Sequence, residues 1–334
     1  MKIRLFAAIV SAAFVSAFIA EPRHASADAP TTPIVVPGGP GHFDWMNVDN
    51  KSHRLFASHP GTKSIVVLDL TTYKAQSIDC GSEVNGIAVD AADNKIFAGG
   101  GGQNIVVLDN TTYAKLDTIP LTGPADAIVF DSTNATVYAD HDDGTEIWTI
   151  DAKTNKVTGS IAIAGAPEFM QLDRKTQTIY QNIKPADQVQ AIDLVKGTVT
   201  ATWSTKPATS PHGLAYLSRQ GWVLSAGKNG KLVAIDKTTG NVAFSCDIKP
   251  GVDQIAFDGK TRRVFCACKG FVSVVSVTPQ GLTNIGDIAV PDSAHTLAID
   301  PASHAPWISY SDKTNSYLAL VDIGKLPAAE VAGD

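Results

Sequence analysis

Val66–Tyr73 reads VVLDLTTY and Val106–Tyr113 reads VVLDNTTY. One residue differs between two stretches set forty positions apart. Repetition at a fixed period is the mark of a chain built from stacked copies of one supersecondary unit, and this pair sets the period to look for. An apolar segment closing on Asp recurs as MNVD (Asp49), IAVD (Asp90), IVFD (Asp131), MQLD (Asp173), LAYL (Leu217, where the Asp is lost), IAFD (Asp258) and LAID (Asp300). The steps are 41, 41, 42, 44, 41 and 42 residues. The quoted stretch belongs to a second mark in step with the first: Asp69, Asp109, Asp151, Asp193, Asp236, Val277 and Asp322. Seven residues after each first mark stand Phe56, Phe97, Tyr138, Tyr180, Leu224, Phe265 and Trp307, a large apolar or aromatic column suited to packing between units.

Within one unit the pattern is four short strands. In the second unit they fall near Gly86–Asp90, Lys95–Ala98, Ile105–Asp109 and Ala114–Leu121, rich in Val, Ile, Phe and Tyr. DAADN, GGGGQ, DNTTY and TGPAD punctuate them as turns. A four-stranded unit of about 40–45 residues is the period of a propeller blade. One blade cannot bury both its faces, whereas seven in a ring can. The expected fold is therefore all-β: a seven-bladed β-propeller of four-stranded blades. The seventh unit lacks a fourth strand, and the segment Pro33–Asp44 matches the inter-unit junction Ser160–Phe169. The N-terminal strand is thus expected to complete the last blade and close the ring.

The repeats resemble the exported YVTN-type, YncE-like seven-bladed propellers over about residues 33–325. The strand pairs KIFAGG…NIVVLDNTTY, TVYADH…EIWTIDAKTNKV and TIYQNI…VQAIDLVKGTV carry the resemblance, together with the junction SIAIAGAPE. It implies the fold and, for members of that family, a binding or surface role. Related seven-bladed folds include lactonases.

Lys2 and Arg4 precede an apolar run, Leu5–Ala20, and Ala25-Ser26-Ala27 supplies small residues for cleavage. Residues 1–27 therefore read as a secretory signal peptide, residues 28–325 as the single propeller domain and 326–334 as a tail. The apolar run is short for a membrane span. Cleavage would remove three basic residues and one acidic one and take the net charge from −6 to −8. That acidity argues against a nucleic-acid partner, and no stable membrane insertion is expected. The expected address is periplasmic or secreted, and the expected state a monomer. Cys80, Cys246, Cys266 and Cys268 allow three full disulfide pairings, and the sequence does not choose among them.

Topology singles out one polar column. Five residues before each first mark stand Asp44, Asn85, Asp126, Glu168, His212, Asp253 and His295, at the start of the strand that lines the channel. These seven form the expected ligand-binding ring at one mouth. The column ten residues after each mark is expected at the same mouth and reads His59, Gly100, His141, Ile183, Gly227, Cys268 and Tyr310. With His42 close by, His42, His59, His212, Cys268 and His295 become candidate ligands for a divalent ion such as zinc, copper or calcium. Polar groups at strand starts also satisfy backbone and bind channel water, which makes a purely structural ring the competing expectation. DHDDG (Asp140–Gly144) departs from a calcium loop in its Gly spacing and reads as an acidic turn. KTRR (Lys260–Arg263) reads as a solvated turn on the opposite face.

Three functions compete. The first is a binding module that holds a small molecule, metal ion or protein at the mouth. The second is a lactonase-like hydrolase in which Glu168, Asn85 and Asp126 hold one cation that polarises a carbonyl. The third is a passive interaction scaffold. No nucleophile–base pair is legible in the sequence, so catalytic residues are unassigned.

Overall fold

The computed structural model describes residues 29–324, 326 and 327. The expected signal peptide and residues 328–334 lie outside them. Seven four-stranded antiparallel sheets follow one another. The first strands, at Met46–Asp49, Gly86–Asp90, Ala125–Asp131, Pro167–Asp173, Pro211–Leu217, Ile255–Asp258 and Thr296–Asp300, pack side by side around the axis. The seventh sheet takes its outer strand from the other end of the chain. Ile34–Val36 pairs antiparallel with Ser316–Leu320, in the register Ile34↔Leu318 and Val36↔Ser316. Closure by the N-terminal strand is therefore as the sequence indicates, over three residues of the longer segment that matched. Among the described residues no helix is long and apolar enough to cross a membrane.

The aromatic column is the glue between blades. Phe56, Phe97, Tyr138, Tyr180, Leu224, Phe265 and Trp307 are each at most 3% exposed. Full burial of such a side chain is worth about 1.5–3 kcal/mol, and the column repeats that contribution at every seam.

The repeated Asp is turn chemistry. Asp69 Oδ1 accepts from the backbone N–H groups of Thr71 and Thr72, both at 2.8 Å. Asp109 accepts from Thr111 and Thr112 at 2.9 and 2.7 Å, and Asp90, Asp151, Asp193, Asp236 and Asp300 do the same in their own hairpins. Each such carboxylate occupies the backbone donors that a tight turn leaves open. The residue four places on is left-handed: Tyr73 (φ 55°), Tyr113 (φ 59°), Asn155, Gly197 and Gly240. A type I turn closed by one left-handed residue matches the twist of the flanking strands. Leu217, which lacks the carboxylate, is followed at that place by Gly221 (φ 68°), where glycine carries no steric cost.

Ring closure is stitched by Gln254, which is 5% exposed. Its Nε2 donates to Met46 O (2.7 Å) in blade 1, and its Oε1 accepts from the backbone N–H groups of Met46 and of Leu297 in blade 7, both at 3.2 Å. One side chain of blade 6 thus ties the last blade to the first. The KTRR turn is only partly solvated: Arg263 is buried and donates to the Pro327 carbonyl, so the described end of the chain is anchored there. All four cysteines are free thiols.

Candidate functional site: the mouth of the channel

The inner strands are irregular where the polar column sits. Pairing with the second strand slips between Ala125 and Ile128, between Pro167 and Met170, and between Pro211 and Leu214. Asp126, Glu168 and His212 fall inside these three bulges. In the other blades the column residue directly precedes the paired strand or lies two residues before it. A bulge re-aims a side chain: Glu168 and His212 meet in adjacent blades, and Asp126 reaches Asp44 of non-adjacent blade 1.

Three linked groups result. Asp44 and Asp126, from blades 1 and 3, hydrogen-bond side chain to side chain, which requires a proton on one of them. Burial raises both carboxyls, Asp126 well above its ordinary range, and the Asp253 charge beside Asp44 and the Asp44 charge beside Asp126 add to it. Glu168 accepts from Lys184 and stands 3.5 Å from His212 Nε2. Burial dominates at Glu168 and pushes its carboxyl up to about 7 despite the lysine. Burial, with the Lys228 charge second, takes His212 down to about 4, so it is a neutral imidazole whose Nδ1 lies 2.9 Å from Ser210 O. Asp253 is the opposite case: His295 Nδ1 lies 2.7 Å from Oδ2 and Lys228 Nζ 2.6 Å from Oδ1. Burial opposes ionisation there, but the bond from His295 and the Lys228 charge outweigh it, and the carboxyl is held well below its usual range. His295 is raised in return, against its own desolvation.

Below this ring Trp45 of blade 1 stacks on Phe169 of blade 4, with centroids 4.2 Å apart and planes 7° apart. The two rings span the channel one residue beyond Asp44 and Glu168. Cavities of about 300 and 250 Å³ flank the stack, the first bounded largely by blades 5–7 and the second by blades 2 and 3. At the rim a cavity of about 380 Å³ lies between blades 7 and 1, lined by His42, Phe43, His295 and Asp312. The mouth is thus a cup whose floor is aromatic and whose wall is charged.

The column ten residues after each mark does not join it. His59 is fully buried, stacked on Phe43 at 4.3 Å, with Nδ1 2.8 Å from Thr62 Oγ1 and Nε2 3.0 Å from Ser316 Oγ. Both of its ring nitrogens are occupied. Cys268 is fully buried in the apolar cluster between blades 5 and 6, with Sγ 3.4 Å from Cys266 O, and burial pushes its thiol up to about 12. Neither is placed to ligate an ion with His212 and His295, and among the described residues no three His, Cys, Asp or Glu side chains converge in metal-holding geometry. In blades 1 to 6 the tenth position is the last residue of the second strand. The eleventh is the first residue beyond that strand and reads Asp142, Lys184, Lys228 and Lys269 in four consecutive blades. Lys184 and Lys228 are the cations of the cup. Asn85 sits at the expected strand start, its backbone N–H on Gly99 O at 2.8 Å.

The acidic turn hides a further carboxyl. Asp140 is fully buried, accepts from Ala127 N (2.7 Å) and from Gln181 Nε2 (3.0 Å), and is raised by burial well above its ordinary range. Asp142 beside it is raised by burial and by Asp143.

No protein-family model and no curated protein matches the chain. Solved structures match its shape. A chain of the "Crystal Structure of Mitotic Checkpoint Complex" has a TM-score of 0.76 at 14% identity, covering 96% of this chain and 100% of that one. "Kuenenia stuttgartiensis Hydrazine Synthase" gives 0.73 at 12%, covering 89% and 99%, and "Structure of U3-55K" 0.75 at 11%, covering 88% and 99%. At these identities the likeness establishes the propeller fold and nothing more.

Proposed function

We propose that the chain is an exported propeller of the YVTN, YncE-like type that binds a small polar ligand through a cationic group held in the mouth. The observation that carries this reading is the charge imbalance of the cup. Asp44, Asp126, Asp142, Glu168 and Asp253 face Lys184, Lys228 and His295, and four of those five carboxyls are raised. A raised carboxyl holds a proton that an entering cation can displace. A preformed concavity with convergent polar groups is also the usual form of a ligand site. Export is supported by the leader-like first residues, and the family by the repeat pattern.

Calorimetric titration with methylamine, choline, putrescine, arginine and calcium at pH 6.5, in two buffers of different ionisation enthalpy, tests this. At least one of these cations is expected to bind with proton release to buffer, and Asp126→Asn to reduce that release. Binding of none of them, or binding of acetate and phosphate in their place, refutes the reading. A panel of lactones tests the hydrolase alternative, for which turnover must disappear in Glu168→Ala.

A further inference from the structure

The geometry points to a second binding site, on the face opposite the mouth, that takes a small organic anion with a flat or aromatic body. A groove of about 680 Å³ lies between blades 5 and 6, within the range of about 300–1,000 Å³ typical of small-molecule sites. Trp222, Phe257, Tyr216, Val277 and Pro279 form its apolar walls, and Arg219, Lys260 and Arg262 stand at its edge. Among the described residues none that lines it is a carboxylate. On a chain of net charge −6, a concavity edged by the Arg219 and Arg262 guanidiniums is opposite in sign to the protein as a whole.

The arrangement has a local cause. Arg219 and Arg262 occupy the turns that join the first two strands of blades 5 and 6. Arg262 is at φ 53°, the left-handed position that every first hairpin of this fold requires. Among the described residues neither guanidinium stands in an ion pair with a carboxylate, unlike Arg174 on Asp131 or Lys237 on Asp173 in the neighbouring hairpins. A guanidinium is planar and weakly hydrated, and it binds carboxylates and phosphates in pairs of hydrogen bonds. Trp222, Phe257 and Tyr216 beside it supply an aromatic wall for the ligand's ring. A second groove of about 640 Å³ shares Tyr216, Ser218 and Arg219 and adds Arg174, Lys175 and the Lys237–Asp173 pair, so the concave surface continues onto blade 4. That continuity leaves room for a ligand larger than a single ring.

Naphthalene-2-sulfonate is the probe, followed by calorimetry and by quenching of Trp222, with the Trp222→Phe variant as the spectroscopic control. One equivalent is expected to bind. Arg219→Gln is expected to weaken it about tenfold, as for loss of one charged hydrogen-bond partner. Adding Arg262→Asn, which keeps a residue tolerant of the left-handed backbone, is expected to weaken it about tenfold again. Lys156→Gln, on the outer strand of blade 3, is expected to bind as the parent does, and unchanged circular dichroism and melting establish that the variants fold. The ammonium analogue 2-naphthylmethylamine is expected not to bind the groove. Equal affinity in the double variant, equal binding of the ammonium analogue at Trp222, or a groove that takes oligoglutamate but not naphthalene sulfonate overturns the assignment.

Discussion

Replacing Glu168 by Gln measures which of two effects wins at the mouth. The carboxyl is 16% exposed and is paired with Lys184. An ion pair favours the charged form, while burial disfavours it. Burial prevails, and the group moves from its ordinary 4.5 to about 7. At about 1.4 kcal/mol per tenfold change, that displacement is worth about 3 kcal/mol. A folded-state value above the unfolded one means the folded state holds the extra proton between the two. The associated stability is therefore full below pH 4.5 and is lost as pH rises through 7. Gln resembles the protonated acid at every pH. The variant and the parent should be equally stable near pH 4.5, and the variant should be the more stable by about 3 kcal/mol at pH 8 and above. Other titrating groups are common to both proteins and cancel in the difference unless they couple to Glu168. Urea unfolding at pH 4.5, 6 and 8 reads this directly. A difference that does not change with pH, or a variant less stable than the parent at pH 8, would show that the Lys184 pair outweighs desolvation and would refute the reasoning. The same free energy is available to a cationic ligand, because a cation beside Glu168 removes the cost of ionising it.

Three more expectations follow from the same contacts. In a histidine titration followed by NMR, His212 should stay neutral down to about pH 4 and His295 should titrate above its ordinary value; Asp253→Asn should lower His295 from its parent value, because desolvation and the Lys228 charge are then opposed by Asp44 without Asp253. The His295 contribution to stability is present below pH 6.5 and lost as pH rises through its folded value, so Asp253→Asn should flatten that part of the pH–stability curve. Gln254→Ala unpairs the Met46 backbone and the Leu297 N–H at the ring closure and should cost about 2–4 kcal/mol in denaturant unfolding. Elemental analysis should find the same zinc, copper and calcium content in Cys268→Ser as in the parent protein, since the thiol is sealed in the core.

The fold was legible because its carriers are local. An Asx turn needs its carboxylate at one place in a hairpin, and a seam needs its aromatic at one place in a strand, so both recur at the repeat length whatever else the chain does. The ring was legible for the same reason, since Asp44, Asp126, Glu168, His212, Asp253 and His295 share one register position. Its partners were not. Lys184 and Lys228 lie one residue past the strand-ending position, in the connections that follow the second strands, where the strand's alternation no longer sets a side chain's direction. His59 and Cys268, polar by type, lie in the core, while the lysines beside the equivalent positions face the channel. The Trp45–Phe169 stack was equally hidden, because Trp45 has no aromatic counterpart in most blades and meets its partner only across the axis. Identical modules predict what each blade does for its neighbour. A binding site needs what the blades do differently, and in this ring the differences concentrate in blades 3 to 6, where bulges, lysines and a buried Asp140 replace the glycines of blade 2. The ligand's shape should therefore follow that asymmetry and not the sevenfold plan. If the reasoning holds, Asp126→Asn and Lys228→Ala will each alter binding at the mouth, while Asn85→Ala in blade 2 will leave the affinity nearly unchanged; comparable losses at all three positions, measured by the same calorimetry, would mean that the ring acts as a uniform polar collar.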